Sequence, residues 1–215
     1  MSIYDCSSES EALDGIEAAA QAIRAGELIV MPTDTVYGIG CDAFSPNAVR
    51  KLLAAKGRGS DMPVPVLVAA WEDALELADT IPTGAMKLAK RYWPGELSIV
   101  VPQSPNVDWD LGQTHDSVML RMPNSDLARR LLARSGPLAV SSANKTGHAP
   151  ATNAEEALSQ LLSSVAVYLD DGPATIGTPS TIVDFTHDEP RILREGAVSA
   201  QQVWEILEMR PADTP

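Results

Sequence analysis

The sequence predicts an α/β fold with its ligand crevice at strand ends, and three observations carry the prediction. A short, continuously apolar run at residues 28–31 reads as a strand buried on both faces, and the runs at 64–68 and 97–101 read as further strands. Runs with helical spacing lie between and around them. Two strands then empty into polar turns, residues 33–38 and 141–147, at the position where open α/β sheets hold their ligands.

The bulk numbers suit one domain over residues 1–208 followed by a frayed tail, 209–215. The chain has 215 residues, of which 45% are apolar and only 5% aromatic, enough for a core of Ala, Leu and Val. Its formal net charge of −13 argues against a broad nucleic-acid footprint, since counterion release needs many Lys and Arg contacts. No run of about 18 apolar residues suggests a membrane span, and the acidic start MSIYDCSSESE is unlike a secretory leader, so a cytoplasmic protein is expected. Cys6 and Cys41 stand apart without metal-ligand spacing and read as reduced thiols.

Taken in order, residues 8–25 form a helix burying Leu13, Ile16, Ala20 and Ile23, and Gly26 ends it. The strand at 28–31 stops at Pro32. Thr33, Asp34, Thr35 and Tyr37 follow at once, while Gly38 and Gly40 free the backbone either for a turn or for close approach of a ligand. Ser45 and Pro46 open a helix to about residue 55. Arg50, Lys51, Lys56 and Arg58 fall within nine residues that hold no acid, which in so acidic a chain suggests a local anion site. A solvated, dipole-favoured helix end explains the same cations equally well. The Walker spacing is absent.

Residues 72–77 begin an architectural helix, and Thr83 caps another that ends near Tyr92 at the break Trp93-Pro94-Gly95. Trp93 is expected in the core. Residues 103–116 make an aperiodic loop long enough for a lid, with His115 as either a base or an inert surface histidine. Arg121 interrupts the apolar strand 118–122, so it must be paired or face a polar cavity. Ser125 caps a helix over 126–135, and the strand 137–140 leads into Ser141-Ser142-Ala143-Asn144-Lys145-Thr146-Gly147. Thr152 and Glu155 suggest a capping box for residues 154–162. A strand at 165–169 ends in Asp170-Asp171-Gly172-Pro173, whose acidic pair could hold a metal but is more simply explained as a turn. Strands at 180–185 and 191–193 precede a helix capped by Ser199 and Gln202.

Five elements in order, P-T-D-T-V-Y-G from Pro32, K-G-R at 56–58, S-A-N at 142–144, P-S-T-I-V-D from Pro179 and I-L-R-E-G from Ile192, resemble the YrdC-like family of threonylcarbamoyl-AMP synthases over nearly the whole chain. The resemblance implies a twisted open mixed sheet flanked by helices around a large concave cleft. It also implies condensation of L-threonine, bicarbonate and ATP into threonylcarbamoyl-AMP and pyrophosphate. The product would pass to threonylcarbamoyl-transferase proteins that modify tRNA, with at most weak direct RNA binding by this chain. Longer relatives add a second domain, which this chain is expected to lack.

Carried over position by position, Lys56, Arg58, Ser142 and Asn144 are the implied catalytic residues. Lys56, Arg58, Ser117, Ser142, Asn144 and Arg194 would bind ATP, and Thr33, Thr35, Tyr37, Arg121 and Ser180 would bind threonine. Mg2+ is expected to arrive with ATP, with no metal ligands from the protein. Where many relatives have proline, asparagine and histidine, this chain has Gly59, Met62 and Leu67, a departure that bears on substrate contacts more than on reaction class. Two other readings remain: a paralogue with another nucleotide-dependent activity, and a non-enzymatic RNA-binding module.

Overall fold

The computed structural model describes residues 1–59 and 61–208, so the tail expected at 209–215 lies outside the described residues. Ten strands among these residues form one mixed sheet. They are β1 (Ser2–Asp5), β2 (Ile29–Met31), β3 (Gly38–Asp42), β4 (Val66–Leu67), β5 (Leu97–Pro102), β6 (Ser117–Arg121), β7 (Leu138–Ser142), β8 (Val167–Asp170), β9 (Thr181–Asp184) and β10 (Arg191–Arg194). The order is β1-β8-β2-β3-β7-β4-β6-β5-β9-β10. Pairs β1/β8, β2/β8, β4/β6 and β5/β9 run parallel, and the rest antiparallel.

Strand alternation divides the core into two layers. Ile29, Met31, Leu138, Val140, Val167 and Leu169 face α1 (Glu9–Arg24) and α5 (Asp126–Ser135), which pack on each other. Val30, Ile39, Ala139, Tyr168, Leu97, Ile99 and Leu120 face the other way. That second layer also takes residues from α2 (Pro46–Lys56), α3 (Trp71–Leu77), α4 (Thr83–Tyr92), α6 (Ala154–Leu161) and α7 (Ala200–Leu207). On the first face α1 touches β1, β8, β2 and β3. The continuation of that face along β4, β6, β5 and β9 carries Leu67, Met119, Arg121, Ser98 and Ile182, and these line an open cavity.

Several expectations need correction. In α1 Leu13 is exposed, and Ala12, Gly15 and Ala19 are buried beside Ile16, Ala20 and Ile23, so the core face is turned away from Leu13 and is smaller-chained than expected. The caps expected at Thr83 and Thr152 fall elsewhere: Pro82 precedes Thr83 without a side-chain bond, and Asn153 accepts from the Glu156 amide at 2.8 Å. Thr152 instead donates to the Glu156 carboxylate. Gly38 and Gly40 lie inside β3, not in a turn; a Cβ at Gly38 would sit 2.6 Å from the Val140 side chain, so the β3/β7 pairing requires the missing side chain. Ser45, Ser125 and Ser199 cap their helices as expected. Trp93 is core, its indole donating to the Leu97 carbonyl.

Candidate functional site

The cavity, about 200 Å³, is walled by strands and turns brought together from across the sequence. The turn 33–38 and the end of β7 meet because Gly38 pairs with Ser142 and the Ala143 amide donates to the Tyr37 carbonyl. This is the convergence of two hydroxyl-rich turns that the sequence suggests. Thr33, Thr35, Ser142, Ser180, Arg58, Arg121 and Arg194 all line it.

Arg58 arrives through the C-terminal turn of α2. Gly57 adopts a left-handed backbone, φ 64°, and the Arg58 amide donates back to the Leu53 carbonyl at 2.9 Å, the Schellman geometry that glycine favours. The chain therefore reverses between Lys56 and Arg58. Arg58 Nη1 donates to Ser141 Oγ at 3.4 Å, while its buried Nε has no partner among the described residues.

Arg194 approaches from β10. Its Nε and Nη2 donate to the Ser180 carbonyl at 3.0 and 2.7 Å, and Nη2 also reaches Ser180 Oγ at 3.2 Å. Burial holds the pKa of Arg194 below the usual guanidinium value, and the positive charge of Arg58 adds to the effect. Two cations that repel across a common space favour an anion between them. Gly196 makes this wall feasible: a Cβ there would lie 2.2 Å from the Pro179 carbonyl oxygen.

Arg121 is buried and paired, which resolves the constraint set by its apolar strand. Its Nη2 donates to Asp34 Oδ1 at 2.6 Å, Nη1 to Thr35 Oγ1 at 2.8 Å and Nε to the Gly95 carbonyl at 2.8 Å. Three of five guanidinium N–H groups are taken, which leaves two. Desolvation lowers the Arg121 pKa and the Asp34 charge opposes that. Ser98, a lone hydroxyl in buried β5, shares a 2.9 Å hydrogen bond with Ser180. Sequence reasoning passed over Ser98, although a polar residue in an apolar strand is the signal that singled out Arg121.

Other expected site residues are placed differently. Lys56 and Asn144 do not line the cavity. The Lys56 ammonium is buried beneath the turn after β7, donating to the Ser142 carbonyl and to the Asn144 carbonyl at 2.8 Å. Asn144 donates to the Lys145 and His148 carbonyls. Tyr37 borders the cavity, but its hydroxyl donates to the Gly172 carbonyl at 2.6 Å, away from the threonine and serine hydroxyls. Burial raises its pKa. Arg50 and Lys51 do not converge with Lys56 and Arg58: Lys51 bonds the Gly26 carbonyl and Glu27, and Arg50 bonds Asn47. The cationic cluster is thus divided between the surface and the site.

Ser117 lines a second cavity of about 500 Å³ with Leu111, Thr114 and His115, and this space shares Pro63 and Met119 with the first. The loop 103–116 is one wall of it, anchored by buried Leu111. Asp170 Oδ1 accepts from the Gly172 amide, the turn bond expected there. No carboxylate is among the residues lining the first cavity, and no cluster of three or more metal-ligating side chains occurs among the described residues.

Residues 21–196 match a family model named Sua5_yciO_yrdC and described as "Telomere recombination". The chain is 53% identical over 204 residues to a "Putative threonylcarbamoyl-AMP synthase" of Mycobacterium tuberculosis, covering 95% of this chain and 94% of that one. It is 37% identical to the "Threonylcarbamoyl-AMP synthase" of Pyrococcus abyssi, covering 89% of this chain and 57% of the other. The crystal structure of P. abyssi Sua5 complexed with L-threonine superimposes with a TM-score of 0.91 at 35% identity, over 96% of this chain and 61% of the longer one.

Proposed function

The chain belongs to the Sua5/YciO/YrdC family, and on that premise we propose that it is an L-threonylcarbamoyladenylate synthase. The reaction joins L-threonine, bicarbonate and ATP into threonylcarbamoyl-AMP and pyrophosphate. The observation that carries the reading is the convergence of three arginines on one cavity, Arg58 near Arg194 and Arg121 bonded to Thr35.

Threonine and ATP then each have a seat. The two uncommitted N–H groups of Arg121 suit the threonine carboxylate, with Thr35 and the Ser98–Ser180 pair beside it for the hydroxyl and amine. Arg58 and Arg194 suit the triphosphate, with Ser142 as a further donor. The nucleoside would extend toward Ser117, past Pro63 and Met119, which line both cavities.

Bicarbonate takes up a proton and loses water to give CO2, the threonine amine adds to the CO2 carbon, and the proton the amine sheds as the carbamate forms replaces the one bicarbonate consumed. A carbamate oxygen attacks the α-phosphorus as the bond to the departing pyrophosphate breaks. Two anions must approach each other, so the protein's contribution is placement and charge neutralisation. The cavity wall offers a resident metal no carboxylate, so Mg2+ would come with the triphosphate, held by phosphate oxygens and water. The proposed setting is cytoplasmic, with the adenylate passing to the transferase proteins that modify tRNA.

The test is to incubate the protein with ATP, bicarbonate and each amino acid in turn and identify any adenylate by mass. Threonylcarbamoyl-AMP formed only with threonine and bicarbonate is the expected result. Pyrophosphate release that ignores threonine would overturn the proposal.

A further inference from the structure

An ammonium group has three N–H donors and no acceptor, so its partners can be counted. Around Lys56 Nζ the acceptors are the Ser142 carbonyl, the Asn144 carbonyl at 2.8 Å and Asn144 Oδ1 at 3.5 Å. All three belong to one turn, two of them close and the third at the outer limit of a hydrogen bond, so at most one Lys56 donor is left over. The backbone repeats the link, because the Thr146 amide donates to the Lys56 carbonyl at 2.9 Å. Lys56 is only 3% exposed. Arg58, two residues on, is the opposite case: beyond one long bond to Ser141 its N–H groups face the cavity or lie unpartnered among the described residues.

We propose that Lys56 is a positioning residue: its ammonium fastens the Ser142–Asn144 turn to the end of α2, fixing where Ser142 faces the nucleotide, and does not itself touch phosphate. The inference rests on the cavity being the ATP site. A Lys56 side chain drawn out to a phosphate would strip donors from two carbonyls in a buried place, whereas Arg58 and Arg194 can take an anion without breaking an internal network. The neutralising charge for the triphosphate is therefore assigned to the two arginines, and Lys56 acts through Ser142.

The direct experiment follows side-chain ¹⁵N resonances of the intact protein while inorganic triphosphate is added. Saturable shifts at Arg58 and Arg194, with the Lys56 ammonium moving much less, are expected. A Lys56 shift as large as that of Arg58 would overturn the positioning role while leaving the ATP reading intact. Silence at both arginines would sink the ATP reading and this inference with it.

Kinetics supply a second arm. In Lys56→Met, kcat is expected to fall at least about tenfold with KM for ATP changed less than about threefold. Lys56→Gln, which keeps two neutral donors for the carbonyls, is expected to recover part of that loss. If Gln is as impaired as Met and both raise KM for ATP tenfold or more, Lys56 is a phosphate ligand and the proposal fails.

Discussion

The Arg121 guanidinium donates to Asp34 at 2.6 Å with both side chains under a tenth exposed, and Arg121 also lines the cavity. One buried ion pair thus joins the turn after β2 to the end of β6, so stability and the proposed threonine seat share a group.

Arg121→Ala leaves the Asp34 carboxylate buried without its counter-charge, and it is expected to cost about 3–5 kcal/mol of stability. Urea unfolding in the absence of substrates measures this. The double variant Asp34→Ala/Arg121→Ala should lose less than the sum of the single losses. Full additivity would mean that the pair does not interact as described.

Arg58→Ala should lower threonine-dependent pyrophosphate formation at least about tenfold while leaving the melting temperature nearly unchanged. A charge-assisted hydrogen bond is worth about 1.5–3 kcal/mol, and no network inside the protein depends on this side chain. Wild-type turnover in this variant would count against the phosphate assignment.

Gly196→Ala places a methyl 2.2 Å from the Pro179 carbonyl oxygen and 2.6 Å from the Ser180 carbonyl carbon. The backbone must move, at an overpacking cost of about 1–3 kcal/mol, and Ser180 moves with it. A lower melting temperature together with a raised KM for threonine is expected. A change in stability alone would show that Ser180 is not part of the amino-acid seat.

Burial, with Arg58 nearby, pushes the Lys56 pKa down to about 8 from the usual 10.5. The unfolded chain therefore holds the proton more tightly between those values. The penalty that Lys56 imposes on folding is fully present below pH 8 and is relieved as pH rises toward 10.5. Activity should move the other way, since a neutral amine has one donor fewer for the turn. An alkaline limb in kcat with a midpoint near pH 8, absent in Lys56→Met, is the expected profile.

Much of the site was legible because its signals are local. Arg121 inside an apolar strand demanded a partner, and the two polar turns after buried strands meet at one cavity as their composition suggests. The direction of a side chain is less readable. Lys56 and Arg58 look alike in sequence, and only the left-handed Gly57 between them sends one beneath a turn and the other into the cavity. Tyr37 belongs to the same motif as Thr35, yet its hydroxyl is drawn to the turn after β8. Arg50 and Lys51 read as site cations because their partners lie elsewhere in the chain, Glu27 for Lys51 and Asp110, at 4.0 Å, for Arg50. The strand β1 gave no signal, since three of its four residues are exposed and it pairs along one side only. Two glycines concealed β3, because the absent side chains that suggest a turn are what permit close pairing with β7.

The strand that carries Arg194 is the last in the sheet, paired on one side only and irregular between Ile192 and Arg194. Such a margin opens at a lower free energy than the interior strands. Half of the charge that the proposed site offers the triphosphate consequently rests on the rim that loosens first under mild chaotrope. Affinity for polyanions should therefore fade while the central ladders are still intact.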